Sequence, residues 1–266
     1  MLKLLLRLMR GVAAMARAGH LPTRRSLAAL AKLSGWQLKR SWPFVLRACD
    51  GDRYLGFDDL LELQFLRSRD FRVLIVGAFD GVTNDPTRDF LLNHTCQAIF
   101  IEPQPAAFSK LREHYGNLTN FSLHNAAIDA TSGHRVLYSV PPGVEGLPSW
   151  TEQLASFDKE HVLKHEELAP GLSRHIVGVN VPTMTFDELL NKFELRSLDV
   201  LQIDAEGFDA QLLAWFPFER IRPALLHYET AHMKDSEHTQ VSGRLNAMGY
   251  RVMVSDSPTD DMAFLI

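Results

Sequence analysis

The sequence predicts an α/β fold: a doubly wound, mostly parallel seven-stranded sheet with helices on both faces, a C-terminal antiparallel hairpin and a helical N-terminal arm. Three observations carry this. Short, near-continuous apolar runs recur from residue 72 onward, as strands buried on both faces require. Segments with helix start and stop signals separate them. Glycines and carboxylates gather just after the runs, where sheets of this kind bind their ligands.

Strands are expected at 72–77, 98–102, 121–128, 199–204 and 224–229. Segments 250–254 and 263–266 flank the turn-forming Ser255-Asp-Ser-Pro-Thr-Asp-Asp261 and read as the hairpin. Helices fit between the strands. Asp85-Pro86 opens a helix over 87–93, with proline at its first position. A second helix, 104–115, stops before Gly116, and Thr185-Phe-Asp-Glu188 is a capping box leading into 189–193. A last helix over 237–248 ends at Gly249. Residues 141–181, bracketed by Pro141-Pro-Gly and Pro170-Gly, are too long for a plain connection and read as a lid or substrate insert.

Composition narrows the class. A hydrophobic fraction of 46% and a charged fraction of 23% exclude a wholly disordered chain. Two cysteines exclude both a disulfide scaffold and a four-cysteine zinc site. No apolar run reaches the roughly 18 residues of a membrane-spanning helix.

The charge is uneven. Residues 1–49 hold ten Lys or Arg and no acid, while 50–266 hold 18 basic and 32 acidic side chains. This divides the chain into a basic arm, 1–49, and a main domain, 50–266. In the arm, Leu2, Leu5, Leu6 and Met9 fall at helical spacing among Lys3, Arg7 and Arg10. Three readings stay open: a helix packed on the domain, a helix lying on an anionic membrane surface, and a targeting segment. A cytoplasmic protein, membrane-peripheral through its arm, is the expectation. No nucleic-acid partner is expected, because no basic-aromatic pattern continues past the arm.

The candidate site follows the strand ends. Gly77-Ala-Phe-Asp-Gly81 after the first strand allows close backbone approach by a ligand. It is neither the Gly-x-Gly-x-x-Gly dinucleotide fingerprint nor a phosphate loop. Glu102-Pro103 after the second strand suits a ribose diol, and Asn125-Ala126 after the third suits an adenine edge. After the fourth strand, Asp204-Ala-Glu-Gly-Phe-Asp209 sets three carboxylates close together, a costly arrangement that a sulfonium or metal ion would relieve. Glu229 closes the fifth strand, near His227 and His232. His161 and His165 share a helical spacing, but the sequence offers them no evident third ligand, so no metal site is expected. A Gly-x-Ser-x-Gly elbow is absent.

Taken together, these motifs resemble the FkbM family of S-adenosylmethionine-dependent methyltransferases over about residues 72–230. Gly77-Ala-Phe-Asp-Gly81 is similar to the family's Gly-Ala-Asn-x-Gly, and Ile101-Glu-Pro103 to its Phe-Glu-Pro. Asn125-Ala-Ala is similar to Asn-x-Ala, and Val181-Pro-Thr-Met-Thr-Phe-Asp-Glu-Leu-Leu190 to Val-x-Thr-Leu-Asp-x-Leu. Asp199-Val-Leu-Gln-Ile-Asp-Ala-Glu-Gly-Phe-Asp209 resembles Lys-Ile-Asp-x-Glu-Gly-x-Glu. The family often has Asp where Ile75 stands and Lys where Gln202 stands.

The resemblance implies S-adenosylmethionine as cofactor and O-methylation of a hydroxyl on a sugar, glycan or polyketide-like acceptor. Gly77, Ala78, Asp80 and Gly81 would then hold the amino-acid end of the cofactor, with Asp80 or Asp85 standing in for the absent Asp. Glu102 and Pro103 would hold the ribose, and Asn125 and Ala126 the adenine. Asp204, Glu206 and Glu229 would face the reacting centre. Two other readings stay open: a non-catalytic methyltransferase-like binding module and, against the missing fingerprint, a nicotinamide-dependent oxidoreductase.

Overall fold

The computed structural model describes residues 36–38, 45–48, 51–54, 56–254 and 259–265. Two compact units make up the chain, Met1–Phe71 and Arg72–Ile266. The helix expected at the very start of the arm lies outside the described residues.

The first unit holds a small antiparallel meander, β1 (Trp36–Leu38), β2 (Val45–Ala48) and β3 (Gly51–Tyr54). The helical expectation for the arm therefore does not extend to β1 and β2. Their Trp, Val and Leu favour a pleated surface, and Asp50-Gly51 is a hairpin signal. Helix α1 (Phe57–Arg67) also belongs to this unit.

The second unit carries the sheet that positions the site. Its strands are β4 (Arg72–Val76), β5 (Gln97–Ile101), β6 (Phe121–His124), β11 (Val200–Ile203), β12 (Leu225–Glu229), β13 (Tyr250–Val254) and β14 (Asp260–Leu265). Their order across the sheet is β13-β14-β12-β11-β4-β5-β6. Strands β4, β5, β6, β11 and β12 are parallel, and β14 returns antiparallel to both β12 and β13. The order reverses between β4 and β11, and that switch point opens a crevice at the carboxyl ends of the strands.

Side-chain alternation along a strand loads both faces. Phe100 of β5 points to one, where it meets Tyr115 of α3 (Pro105–Tyr115), with ring centroids 5.1 Å apart, and Phe121 of β6. Its neighbours Ile99 and Ile101 join the other core, shared with α5 (Phe186–Lys192), α6 (Asp209–Trp215) and α7 (Asp235–Ala247) through Leu189, Leu212 and Leu245. Each such fully buried side chain contributes roughly 1.5–3 kcal/mol. The Thr185–Glu188 capping box forms as expected: Thr185 accepts from the Glu188 N–H and Glu188 from the Thr185 N–H. Helix α2 (Arg88–Asn93) completes the wrapping.

The expected strand over 121–128 is broken. It splits at Asn125 into β6 and β7 (Ala127–Ile128), and β7 leaves the main sheet. It pairs with β10 (Val177–Met184) in a second sheet, ordered β7-β10-β8-β9, with β8 (Gly133–Ser139) and β9 (Ala155–Ser156). The 141–181 insert is therefore an ordered accessory layer rather than a loose loop. Its own core packs Val140, Leu154, Val162 and Leu172, and it carries helix α4 (Lys159–Leu163). Among the described residues, no helix is long and apolar enough to cross a membrane.

Candidate active site

The loop after β4 is shaped by one close approach. Gly77 has φ +83°, and a Cβ there would sit 1.6 Å from the carbonyl oxygen of Asp204. Glycine is required because two strand ends touch, not only because a ligand comes near. The N–H groups of Gly77 and Ala78 both donate to the Ile101 carbonyl. Phe79 then adopts φ +47°, a left-handed turn that costs a non-glycine residue on the order of 1 kcal/mol. The turn aims the Phe79 N–H at Glu102 Oε2, 2.7 Å away, while the Gln104 N–H donates to Oε1 at 2.7 Å. The Glu102 carboxylate is thus fixed by two main-chain donors and is only 3% exposed. Burial outweighs those bonds and pushes its pKa up to about 7.

The structure turns four expected ligand residues away from the crevice. Asp80 accepts from the N–H groups of Val82 and Thr83 and from the Thr83 hydroxyl. Burial alone would raise its pKa, but these bonds hold it below the ordinary carboxylate value. Gly81 backs onto Tyr115 and Leu111. Asn125 donates from Nδ2 to the carbonyls of Glu102 (2.8 Å) and Pro103 (3.1 Å), so it shapes the turn that carries Glu102. Ala126 is buried beside it. All four hold the loops that present other residues.

Gly77, Ala78, Asp85, Glu102, Pro103, Asp204 and Glu206 do line a single solvent-open cleft of about 890 Å³. Asp85 accepts from the Thr87 N–H and hydroxyl, lies 3.5 Å from Gln202 Nε2, and is pushed upward in pKa by burial. The sequence reading missed the rest of the wall. Phe79, Asn84, Ala127, Ile128 and Leu137 contribute to it, as do Gln153, Ser156 and Phe157 of the insert. Asn84 Nδ2 donates to Gln153 Oε1 at 3.3 Å, and Lys110 pairs with Glu152 at 3.2 Å, so the insert is docked over the strand ends.

The acidic end of the cleft follows β11. Asp209 is 1% exposed and accepts from the N–H groups of Ala205 (3.0 Å) and Gly207 (3.3 Å), so it braces the loop. Burial lifts its pKa to about 7. Asp204 opens onto the cleft and keeps exposed surface, yet it stands in a recess crowded by protein. That crowding and the neighbouring Asp209, Glu206, Asp260 and Glu102 push its pKa well above the usual value. Glu229 stands behind the lining, with Oε2 buried and unpartnered; burial, then Asp204 and Asp209, lifts it to about 10. At neutral pH Glu229 therefore holds its proton. Glu206 has φ +48°, and with Phe79 and Asn84 it is one of three non-glycine residues at the cleft with a left-handed backbone.

A histidine group borders this acidic end. His232 Nε2 lies 3.5 Å from Glu206 Oε2 and 3.7 Å from Glu229 Oε1. His161, carried by α4 of the insert, packs its ring 4.7 Å from that of His232, centroid to centroid. Burial, then the neighbouring His232, lowers the His161 pKa to about 4. His161 and His165 lack a third partner in the sequence pattern, but the fold brings them Glu206 and His232.

Comparison with known proteins gives a consistent picture. The family model described as the methyltransferase FkbM domain matches residues 76–252. No curated protein matches the chain. Among solved structures, the chain is similar to an FkbM methyltransferase from Methylobacillus flagellatus KT. The TM-score is 0.46 at 10% identity, covering 73% of this chain and 43% of that one. This chain thus corresponds to less than half of that protein's length. It is also similar to an O-methyltransferase from Bacillus cereus in complex with SAH, with a TM-score of 0.38 at 11% identity, covering 80% and 82% of the two chains.

Proposed function

Because the chain belongs to the FkbM family of S-adenosylmethionine-dependent methyltransferases, we propose that it methylates a hydroxyl oxygen of a sugar, glycan or polyketide-like acceptor. What carries this reading is the pairing, in one cleft, of Glu102 fixed by two main-chain N–H groups and Asp204 crowded by other carboxylates. The residues present fit the cofactor. The Glu102 oxygens keep lone pairs for a ribose diol. Gln202 Oε1 is buried at the cleft without a partner among the described residues and suits a ligand ammonium. The carboxylates around Asp204 suit a positive sulfonium.

S-Adenosylmethionine supplies an electrophilic methyl group on a charged sulfur. Glu102 in its ionised form accepts from the ribose hydroxyls. Ala127, Ile128 and Leu137 give an apolar wall for the base, in place of the expected Asn125 contact. Asp85 and Gln202 hold the amino-acid end. Asp204, in its ionised form, would take the proton that the acceptor hydroxyl gives up. Phe157 and Gln153 of the insert keep water from the acceptor, and alignment supplies much of the acceleration.

The test is isothermal titration with S-adenosylmethionine, S-adenosylhomocysteine and NAD, followed by a labelled-methyl screen of hydroxyl-rich acceptors. Micromolar binding of the first two, lost in Glu102→Ala, and a methyl ether product support the proposal. Absence of binding in a folded sample, or methyl transfer to nitrogen alone, refutes it.

A further inference from the structure

We propose that His161, Glu206 and His232 form a binding site for a first-row transition-metal dication, joining the insert to the sheet edge. It rests on their placement alone and does not depend on methyl transfer. One ligand atom from each residue lies within 4.8 Å of the other two. Tetrahedral bonds of about 2.0–2.1 Å set ligand atoms about 3.4 Å apart. The His232–Glu206 separation is already 3.5 Å, so the three close on an ion by side-chain adjustments of about an ångström.

Two further observations point to a ligand. His161 Nε2 is buried and has no hydrogen-bond partner among the described residues, and the same holds for His165 Nδ1 and Glu229 Oε2 next to them. Buried polar atoms are rarely left unpaired, and a cation bound by His161 accounts for its bare nitrogen. The second is steric. Gly207 has φ +88°, and a Cβ there would stand 2.6 Å from His161 Cε1, so the loop after β11 is bare where the insert's imidazole enters.

The donor set selects the metal. Two imidazoles and a carboxylate suit zinc, manganese, iron, cobalt or nickel, whereas magnesium and calcium prefer an all-oxygen shell. The three ligands come from α4 and from the loops after β11 and β12, so an ion clamps three segments together. Three protein ligands leave a coordination position open. Glu206 also lines the cleft, so the ion would stand at its border.

The experiment uses the untagged full chain, stripped of metal by a chelator and titrated with Zn²⁺ against a chromophoric competitor, then with Co²⁺ for its visible d–d bands. One equivalent should bind. His161→Ala and His232→Ala should each weaken binding on the order of a hundredfold. Millimolar Mg²⁺ should not compete. Zn²⁺ should raise the Tm of the wild type but not that of the His161→Ala/His232→Ala double variant, whose circular dichroism certifies its fold. Equal Zn²⁺ affinity in the folded double variant and the wild type overturns the proposal, as does a folded wild type that binds no Zn²⁺ below millimolar concentration. Neither result bears on S-adenosylmethionine binding, which is measured separately.

Discussion

Ile75 and Gln202 are register partners on the adjacent parallel strands β4 and β11, side by side on the same face of the sheet. They are also two of the positions at which this chain departs from the motifs it resembles, which often have Asp and Lys there. An alkyl group and a neutral amide at this pair of positions place no charge there. Both side chains are buried, at 1% and 4% exposure. Ile75→Asp alone would bury an uncompensated carboxylate and should cost about 3–5 kcal/mol. Ile75→Asp with Gln202→Lys should recover much of that. Urea unfolding of the four variants in the cycle measures the coupling; additive effects would show that the pair acts independently.

Glu102 gives the cofactor site a pH dependence. Its folded pKa stands near 7, above the ordinary 4.5. Ribose hydroxyls donate to the ionised form, so binding favours loss of the proton. Affinity for S-adenosylmethionine should therefore fall as pH drops below about 7, approaching tenfold per unit, and level off above it. Glu102→Gln should bind more weakly at pH 8 and lose this dependence. Calorimetric Kd values from pH 5.5 to 8.5 test it; the same slope in both proteins would assign the proton to another group. Stability without ligand should run the same way in sign: ionising a carboxyl whose folded pKa is raised costs stability, so the protein loses it as pH rises from about 4.5 to 7.

The contact between Gly77 and the Asp204 carbonyl makes a sharp steric test. Gly77→Ala places a methyl group 1.6 Å from that oxygen in a left-handed conformation. The β4 and β11 ends must separate, which should cost at least about 2 kcal/mol and displace Asp204. A lowered Tm together with weakened cofactor binding is expected. An unchanged Tm would mean that the two strand ends are not held this closely.

These variants also show how much was legible in advance. The parallel core, the hairpin and the Thr185–Glu188 cap were legible because each rests on local periodicity or on residues three apart. That Glu102 and Asp204 border the cleft was legible because ligand crevices of doubly wound sheets lie at the carboxyl ends of the strands. Asp80 and Asn125 have the same residue types at the same places, yet they turn inward to bond main chain, and spacing carries no information about that choice. The break at Asn125 was hidden because 121–128 is apolar enough for one continuous strand. The particular residues by which the insert lines the cleft were illegible for another reason. Gln153 and Phe157 reach the cleft only through the packing of a separate small sheet, and His161 meets His232 across elements far apart in the chain.

Asp204 separates catalysis from binding. In Asp204→Asn the side chain keeps its size and hydrogen-bonding capacity but cannot take a proton. Removing a carboxylate from a crowded acidic cluster also relieves repulsion, so the variant should be no less stable than the wild type. If Asp204 is the base, kcat should fall on the order of 10²–10⁴-fold. The Kd for S-adenosylhomocysteine, which carries no sulfonium charge, should stay within a few-fold. A structural role would instead move Tm or both Kd values, and an electrostatic role toward the sulfonium would weaken S-adenosylmethionine selectively. Measuring kcat, Tm and the two Kd values on this one variant separates the three, and full retained turnover would remove Asp204 from the mechanism.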